Sequence, residues 1–378
     1  MVFRNGEEVP EGTGSSTYIR HTSGHAESSG HVHFLLTAVE SDDYLEVMTR
    51  RTTTNMTNDT QMQPTSLYVE KVDASRSVFS GTATQTVAGT NLNGNASPLQ
   101  WTAGRNDDGF THDSHEITLE AGGRYMVFAN IPLKGPSTRG SVALEVKLDG
   151  DRIPGGLAQQ GYIRNADGQQ EASVHWAGLI VAIEGQKLTV DTLQKAGGGT
   201  ITVPDGNTAS IFIEKFADAT DLFAASGTKV VNNSDNWNPG GKSAIQWESA
   251  DVIDEEVYTH TVASDSHKIT IKKAGDYLLT YNDALKDGSA RNNPRVTVQV
   301  NGEDVVGAES KSHYNRKASG HDESSTSLVF LIEGLSVDDA LTVSVQQEGA
   351  GGTVNDEVPT LLTLLRRPKL LIPNPIPT

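Results

Sequence analysis

Four histidines stand close together near the start of the sequence, at His21, His25, His31 and His33. Imidazole nitrogens ligate zinc, and His31 and His33, two residues apart, would project from one face of a strand as a metal pair could. Two later stretches of the same design carry Asn165, Gln169, His175 and Ala177, or Lys317, His321, Ser327 and Val329, at the matching places. A metal site here would therefore be private to the first stretch. Acidic groups at Asp107-Asp108, Asp254-Glu255-Glu256 and Asp338-Asp339 offer carboxylates, but none has the spacing of a dedicated calcium loop, so they read as solvated loop charge. No Ser-His-Asp order, nucleophile elbow or phosphate loop occurs. No acid pair recurs in the way a glycoside hydrolase would need. The expectation is a protein that is not an enzyme and has no cofactor.

The stretch that holds the histidines occurs three times: YIRHTSGHAESSGHV from Tyr18, YIRNADGQQEASVHW from Tyr162 and YNRKASGHDESSTSL from Tyr314. The shared skeleton is Tyr-x-Arg, a Gly four residues after the Arg, a Glu three after that and a Ser two further on. Gly24, Gly168 and Gly320 sit where a tight turn needs positive φ, which predicts a β-hairpin with a two-residue turn. Counted outward from that turn, Arg20 faces Glu27, Arg164 faces Glu171 and Arg316 faces Glu323. Tyr18, Tyr162 and Tyr314 then face Ser29, Ser173 and Ser325. Each hairpin is expected to carry a cross-strand ion pair that fixes its register.

Further matches extend the repeat. Asn5-Gly6, Asp149-Gly150 and Asn301-Gly302 are spaced as the tyrosines are, by 144 and then 152 residues, and each turn follows an alternating strand such as Ser141-Val142-Ala143-Leu144-Glu145-Val146. After each hairpin come an apolar run, a turn, a second alternating strand and a last strand: residues 32–39, 44–48 and 66–71 in copy one, with counterparts in the others. Copies two and three also hold a first half that copy one lacks. Leu99-Gln100-Trp101 matches Ile245-Gln246-Trp247, and Gly123-Arg124-Tyr125 matches Gly275-Asp276-Tyr277. Trp101 and Trp247 read as core. Residues 73–98 and 217–242, rich in Ser, Thr, Gly and Asn, read as linkers or long loops.

Recurrent short strands with no sustained helical period predict an all-β fold of tandem antiparallel sandwiches. The divisions are 1–75, a partial unit holding the C-terminal half of repeat one; 76–218 and 219–367, two full units; and 368–378, a proline-rich extended arm. Leu370, Leu371 and Ile372 make that arm a candidate docking peptide. Half a sandwich has open edges, so about fifty residues carrying the missing half are expected upstream of Val2, with strands lent by a neighbouring chain or packing of the exposed face against copies two and three as the alternatives.

Length and charge narrow the function. The 378 residues carry 30 Lys and Arg against 48 Asp and Glu, a net charge of −18, which excludes nucleic acid and anionic membrane as partners. There is no cysteine, so neither disulfides nor thiolate metal sites exist. Residues 1–5 lack the basic start and apolar run of a secretory signal. On this ground assembly in a cytosol is expected.

The strand order in copies two and three resembles the jelly roll shared by tumour necrosis factor and the globular head of the complement first component's q subunit. The resemblance rests on the Gly-x-Tyr strands at Gly123/Tyr125 and Gly275/Tyr277, a following strand that ends in an Asn-Gly or Asp-Gly turn, and an apolar strand. A turn marked by Gly185 or Asp338-Asp339 and a last apolar strand complete it. The last strands lack the usual Phe-Ser-Gly start. The resemblance implies domains that trimerise about a threefold axis and act as binding modules. The partner expected first is the chain itself, as a homotrimer or as a pseudo-trimer of the three copies, with a capsid or other virion protein as the second. The sequence is thus read as a structural binding protein of a virion surface, a phage capsid decoration or fibre protein assembled in host cytoplasm. The alternative is an extracellular bacterial adhesin or carbohydrate-binding lectin.

Overall fold

The computed structural model describes residues 1–367 except 16–17, 20–26, 51–63, 136–138, 167, 217–220, 233–234, 288–290, 317 and 319. The arm residues Leu370, Leu371 and Ile372, and Arg20, His21, Gly24 and His25 of the first hairpin, lie outside the described residues.

Alternation of apolar and polar residues does produce strands, and the Asn-Gly and Asp-Gly dipeptides do produce the turns between them. Asn5, Asp149 and Asn301 adopt φ of 54°, 50° and 54°, and the glycines after them 83°, 88° and 86°, the two left-handed residues of a type I′ hairpin. Residues 78–216 form a two-layered sandwich. One layer runs Glu171–Ala182, Gly123–Lys134, Ala209–Phe216, Val78–Ala83, Thr102–Asn106. The other runs Asp151–Gln159, Ser141–Leu148, Lys187–Ala196, Glu116–Leu119, Phe110–Asp113. With the eight principal strands numbered along the chain, the layers read 6-3-8-1 and 5-4-7-2, which is a jelly roll. Residues 222–367 repeat it, with Gly275–Asn282 between Ser327–Leu335 and Thr360–Arg367 as the counterpart of Gly123–Lys134.

Each sandwich closes on its own core. Trp101, Trp176, Phe79 and Tyr125 fill the first, and Trp237, Trp247, Tyr258 and Tyr277 the second. A further apolar cluster joins the units: Met126, Phe128 and Phe216 meet Leu222, Val252, Leu278 and Leu365, with Tyr68 of copy one packed against them.

Three expectations need correction. The segments read as linkers hold the first strand of each sandwich, Val78–Ala83 and Leu222–Gly227. Their Ser, Thr and Gly content hides short apolar cores, and Val78, Phe79, Leu222 and Phe223 are buried. Among its described residues copy one forms the single sheet Glu7–Glu8, Val2–Arg4, Leu45–Val47. Residues 32–39 and 66–71, expected as strands, have no ladder partner among the described residues. Finally, the hairpin register differs. Arg164 N donates to Gln169 O and Arg316 N to His321 O, so each arginine faces the residue five on from it, and no Arg164–Glu171 or Arg316–Glu323 ion pair forms.

Candidate functional site: a pseudo-threefold axis

The three repeated stretches meet at their tyrosines. The rings of Tyr18, Tyr162 and Tyr314 lie 5.9–6.4 Å apart, centroid to centroid, each pair edge-to-face at 65–74°. Three equivalent side chains at nearly equal mutual distances define a threefold axis, here made by one polypeptide. Edge-to-face contact suits the ring quadrupole, so three rings can close a triangle without stacking.

The arginines released from the expected ion pairs reach this triangle. The Arg164 guanidinium lies 5.0 Å from the Tyr18 ring centre, and its Nη1 donates to Tyr18 Oη at 3.0 Å and to Gln169 Oε1 at 2.8 Å. Arg316 lies 5.5 Å from the Tyr162 ring. Each contact thus runs from one copy to the tyrosine of the copy before it. The glutamates find lysines instead. Glu27 of copy one pairs with Lys311 of copy three, and that ammonium holds its carboxyl below the ordinary range. Glu171 pairs with Lys134 at 3.8 Å, and Glu323 with Lys195 of copy two at 2.8 Å and Lys286 at 2.6 Å. Cross-strand distance alone cannot decide such pairings, because a neighbouring copy brings its own cations into reach.

A hydrogen-bond relay turns around the axis in one sense. Ser15 N donates to Ser173 Oγ at 2.9 Å, Gln159 N to Ser325 Oγ at 2.8 Å and Lys311 N to Ser29 Oγ at 3.0 Å. The donors are spaced by 144 and 152 residues, as the acceptors are, so the relay runs from copy one to two, two to three and three to one. A second ring is present at two of its three places. Asn130 Nδ2 donates to Thr13 O at 3.2 Å and Asn282 Nδ2 to Leu157 O at 3.1 Å. These asparagines escaped sequence analysis. Their signal was available: each stands seven residues after the glycine of the Gly-x-Tyr strand.

Below the tyrosines the axis is lined by histidines from all three copies. The rings of His31, His33 and His175 lie 6.1–6.4 Å apart, and His313 is near. His31 and His175 occupy equivalent places, and Ser327 is the third. His31 Nε2 meets Ser310 Oγ at 2.9 Å. Burial lowers the basicity of these imidazoles, His31 and His313 to about 4 and His33 to about 3, and pushes His175 well down. They are neutral at pH 7. Among the described residues no group of His, Asp or Glu is placed to hold a metal ion. A cavity of about 10 Å³ lies here among Ser29, His31, Gln159, His175 and His313, the space of roughly one water molecule. The arrangement can hold three copies in register.

No family model matches the chain, and no curated protein does. Among solved structures it is similar to crystal structures of murine APRIL. The one at pH 8.0 has 14% identity and a TM-score of 0.28, and the one at pH 5.0 has 16% identity and a TM-score of 0.27. Each match covers 37% of this chain and 98% of APRIL. The assignment of an antiparallel β-sandwich rests on the strand order described above.

Proposed function

We propose that the chain is a non-enzymatic structural protein in which three repeats of a trimerising jelly roll close on one another as a single-chain pseudo-trimer, displayed on a virion surface as a capsid decoration or fibre protein. The observation that carries this reading is the tyrosine triangle with its serine relay, which commits one face of every copy to the other two. What remains outside is acidic, with the net charge of −18, suited to solubility at high local concentration and not to nucleic acid or anionic membrane. The absence of cysteine suits a protein that assembles in a reducing cytosol and is later exposed.

The test is immunogold labelling of intact particles with antibodies raised against the purified chain. Regularly spaced gold on the particle surface is the expected result. Label confined to cell envelopes or to the soluble secreted fraction would reject the virion reading and favour the adhesin.

A further inference from the structure

Copies two and three each hold their Gly-x-Tyr strand between two others. Gly123–Lys134 pairs along its whole length with Glu171–Ala182 on one side, and its residues 124–130 pair with Ala209–Phe216 on the other. Gly275–Asn282 lies in the same way between Ser327–Leu335 and Thr360–Arg367. Copy one has the two flanking segments, residues 31–38 and 66–72, and no strand lies between them among the described residues.

Both flanks stand where the pseudo-symmetry puts them. His33 O accepts from Ser210 Oγ of copy two at 3.2 Å, and Pro64 lies beside Gly307 of copy three. Glu70 pairs with Arg76 at 2.8 Å and with Arg367 at 3.1 Å. Yet residues 32–38 and 66–72 make no backbone-to-backbone hydrogen bond among the described residues. Their core face is open too: Leu67 and Val69 are 66% and 62% exposed, where the equivalent Ile211 and Ile213 are 1% and 0% exposed. Two edges without a backbone partner among the described residues, flanking an apolar floor, are a template for one more strand.

The occupied slots say what that strand must be. Both are filled by Gly-x-Tyr-x-x-x-x-Asn, in Gly123 to Asn130 and Gly275 to Asn282. The glycine takes a φ of 146° or 156°, open to few other residues. The tyrosine is buried, its hydroxyl donating to the backbone carbonyl of Ala121 or Lys273. The asparagine donates across to the preceding copy. In the third slot the matching carbonyl belongs to Glu309. The pattern occurs nowhere else in the 378 residues, and in both of its occurrences the strand is already paired on both sides.

We propose that residues 31–38 and 66–72 form a receiving slot for one antiparallel strand of the pattern Gly-x-Tyr-x-x-x-x-Asn. A polypeptide carrying a further first half of this repeat supplies it, and its insertion completes the third sandwich and the second ring of the axis. Strand pairing on both sides gives affinity, while the Tyr and Asn positions give specificity and fix the register.

The test uses the full chain and a labelled synthetic peptide with the sequence of residues 123–134, lysine-tagged for solubility, against a scrambled peptide of the same composition. Expected are saturable binding of one peptide per chain and slowing of amide exchange by about tenfold or more in residues 32–38 and 66–72 only. The variants Leu67→Asp and Val69→Asp, on the exposed floor, should weaken binding about tenfold or more. Exchange in the free wild-type chain keeps the idea falsifiable even if those variants fold poorly. Amides of 32–38 and 66–72 already as protected as those of 175–182 and 210–216 would overturn it. So would equal binding of the scrambled peptide, protection elsewhere, or no binding.

Discussion

Residues 175–182 and 31–38 occupy equivalent places in the repeat, yet only the first is a strand. His175 to Ala182 is paired along its length with the Gly-x-Tyr strand of its own unit. Residues 31–38 have the same apolar run and no such neighbour among the described residues. β-propensity is a fit to a half-buried pleated surface more than a property of the segment itself, and the comparison isolates that statement within one chain. The interface tells the opposite story. The serine relay passes through copy one as faithfully as through the others, because its donors and acceptors belong to the half of the repeat that copy one retains.

The strongest way to break the comparison is to truncate one position in both copies. Trp176 is fully buried, and Val32 at the equivalent place is half-buried. Trp176→Ala should cost about 3–5 kcal/mol, and Val32→Ala well under half of that, read from denaturant midpoints. Equal costs would mean that copy one has a closed core after all.

Acid should act next, through the axis. The folded-state values of His31, His33 and His313 lie at about 4, 3 and 4, below the ordinary 6.5 or so. The unfolded chain therefore binds protons that the folded chain refuses. Stability from the neutral imidazoles is complete above about pH 6.5 and is lost as the pH falls toward 4. Asp283, pushed up to about 7 by burial and bonded to Tyr281 Oη and Thr326 N, has the opposite sign. Its contribution is full below the ordinary carboxylate value of about 4 and fades as the pH rises to 7. The triple variant His31→Ser, His33→Ala, His175→Ser takes residues that other copies use at these places. It should flatten the fall in stability between pH 7 and 4.5, measured by chemical denaturation at each pH.

Smaller effects sharpen the account of the rings. Asn130→Ala and Asn282→Ala should each cost about 1–3 kcal/mol, since both side chains are buried and bond to a neighbouring copy. Arg164→Ala should cost only about 0.5–2 kcal/mol, the range of a cation over an aromatic face. A double-mutant cycle with Tyr18→Phe should show coupling. Its absence would place Arg164 outside the axis.

Much of this was legible in the residues. The repeat and the turns at Asn-Gly or Asp-Gly follow from spacing and residue type. The tyrosines were singled out, but their meeting was not visible, because a hairpin read alone is satisfied by its own cross-strand partners. That is why Arg164 was assigned to Glu171. Its cation goes to Tyr18, which is distant in sequence, and Lys134 takes the glutamate. The first strands at Val78–Ala83 and Leu222–Gly227 were hidden by Thr and Ser, which suit strands as well as loops. The convergence of His31, His33, His175 and His313 needed the packing of three copies, and no single copy carries it.

The central claim is that one chain supplies all three sectors of the axis. Size-exclusion chromatography coupled to light scattering and small-angle X-ray scattering tests it directly. The account predicts the mass of one chain, 40.4 kDa, with a radius of gyration of about 21 Å, that of a compact body of this length. A mass three times as large, or a single-chain mass with a radius of gyration of about 30 Å or more from repeats strung apart, would contradict it.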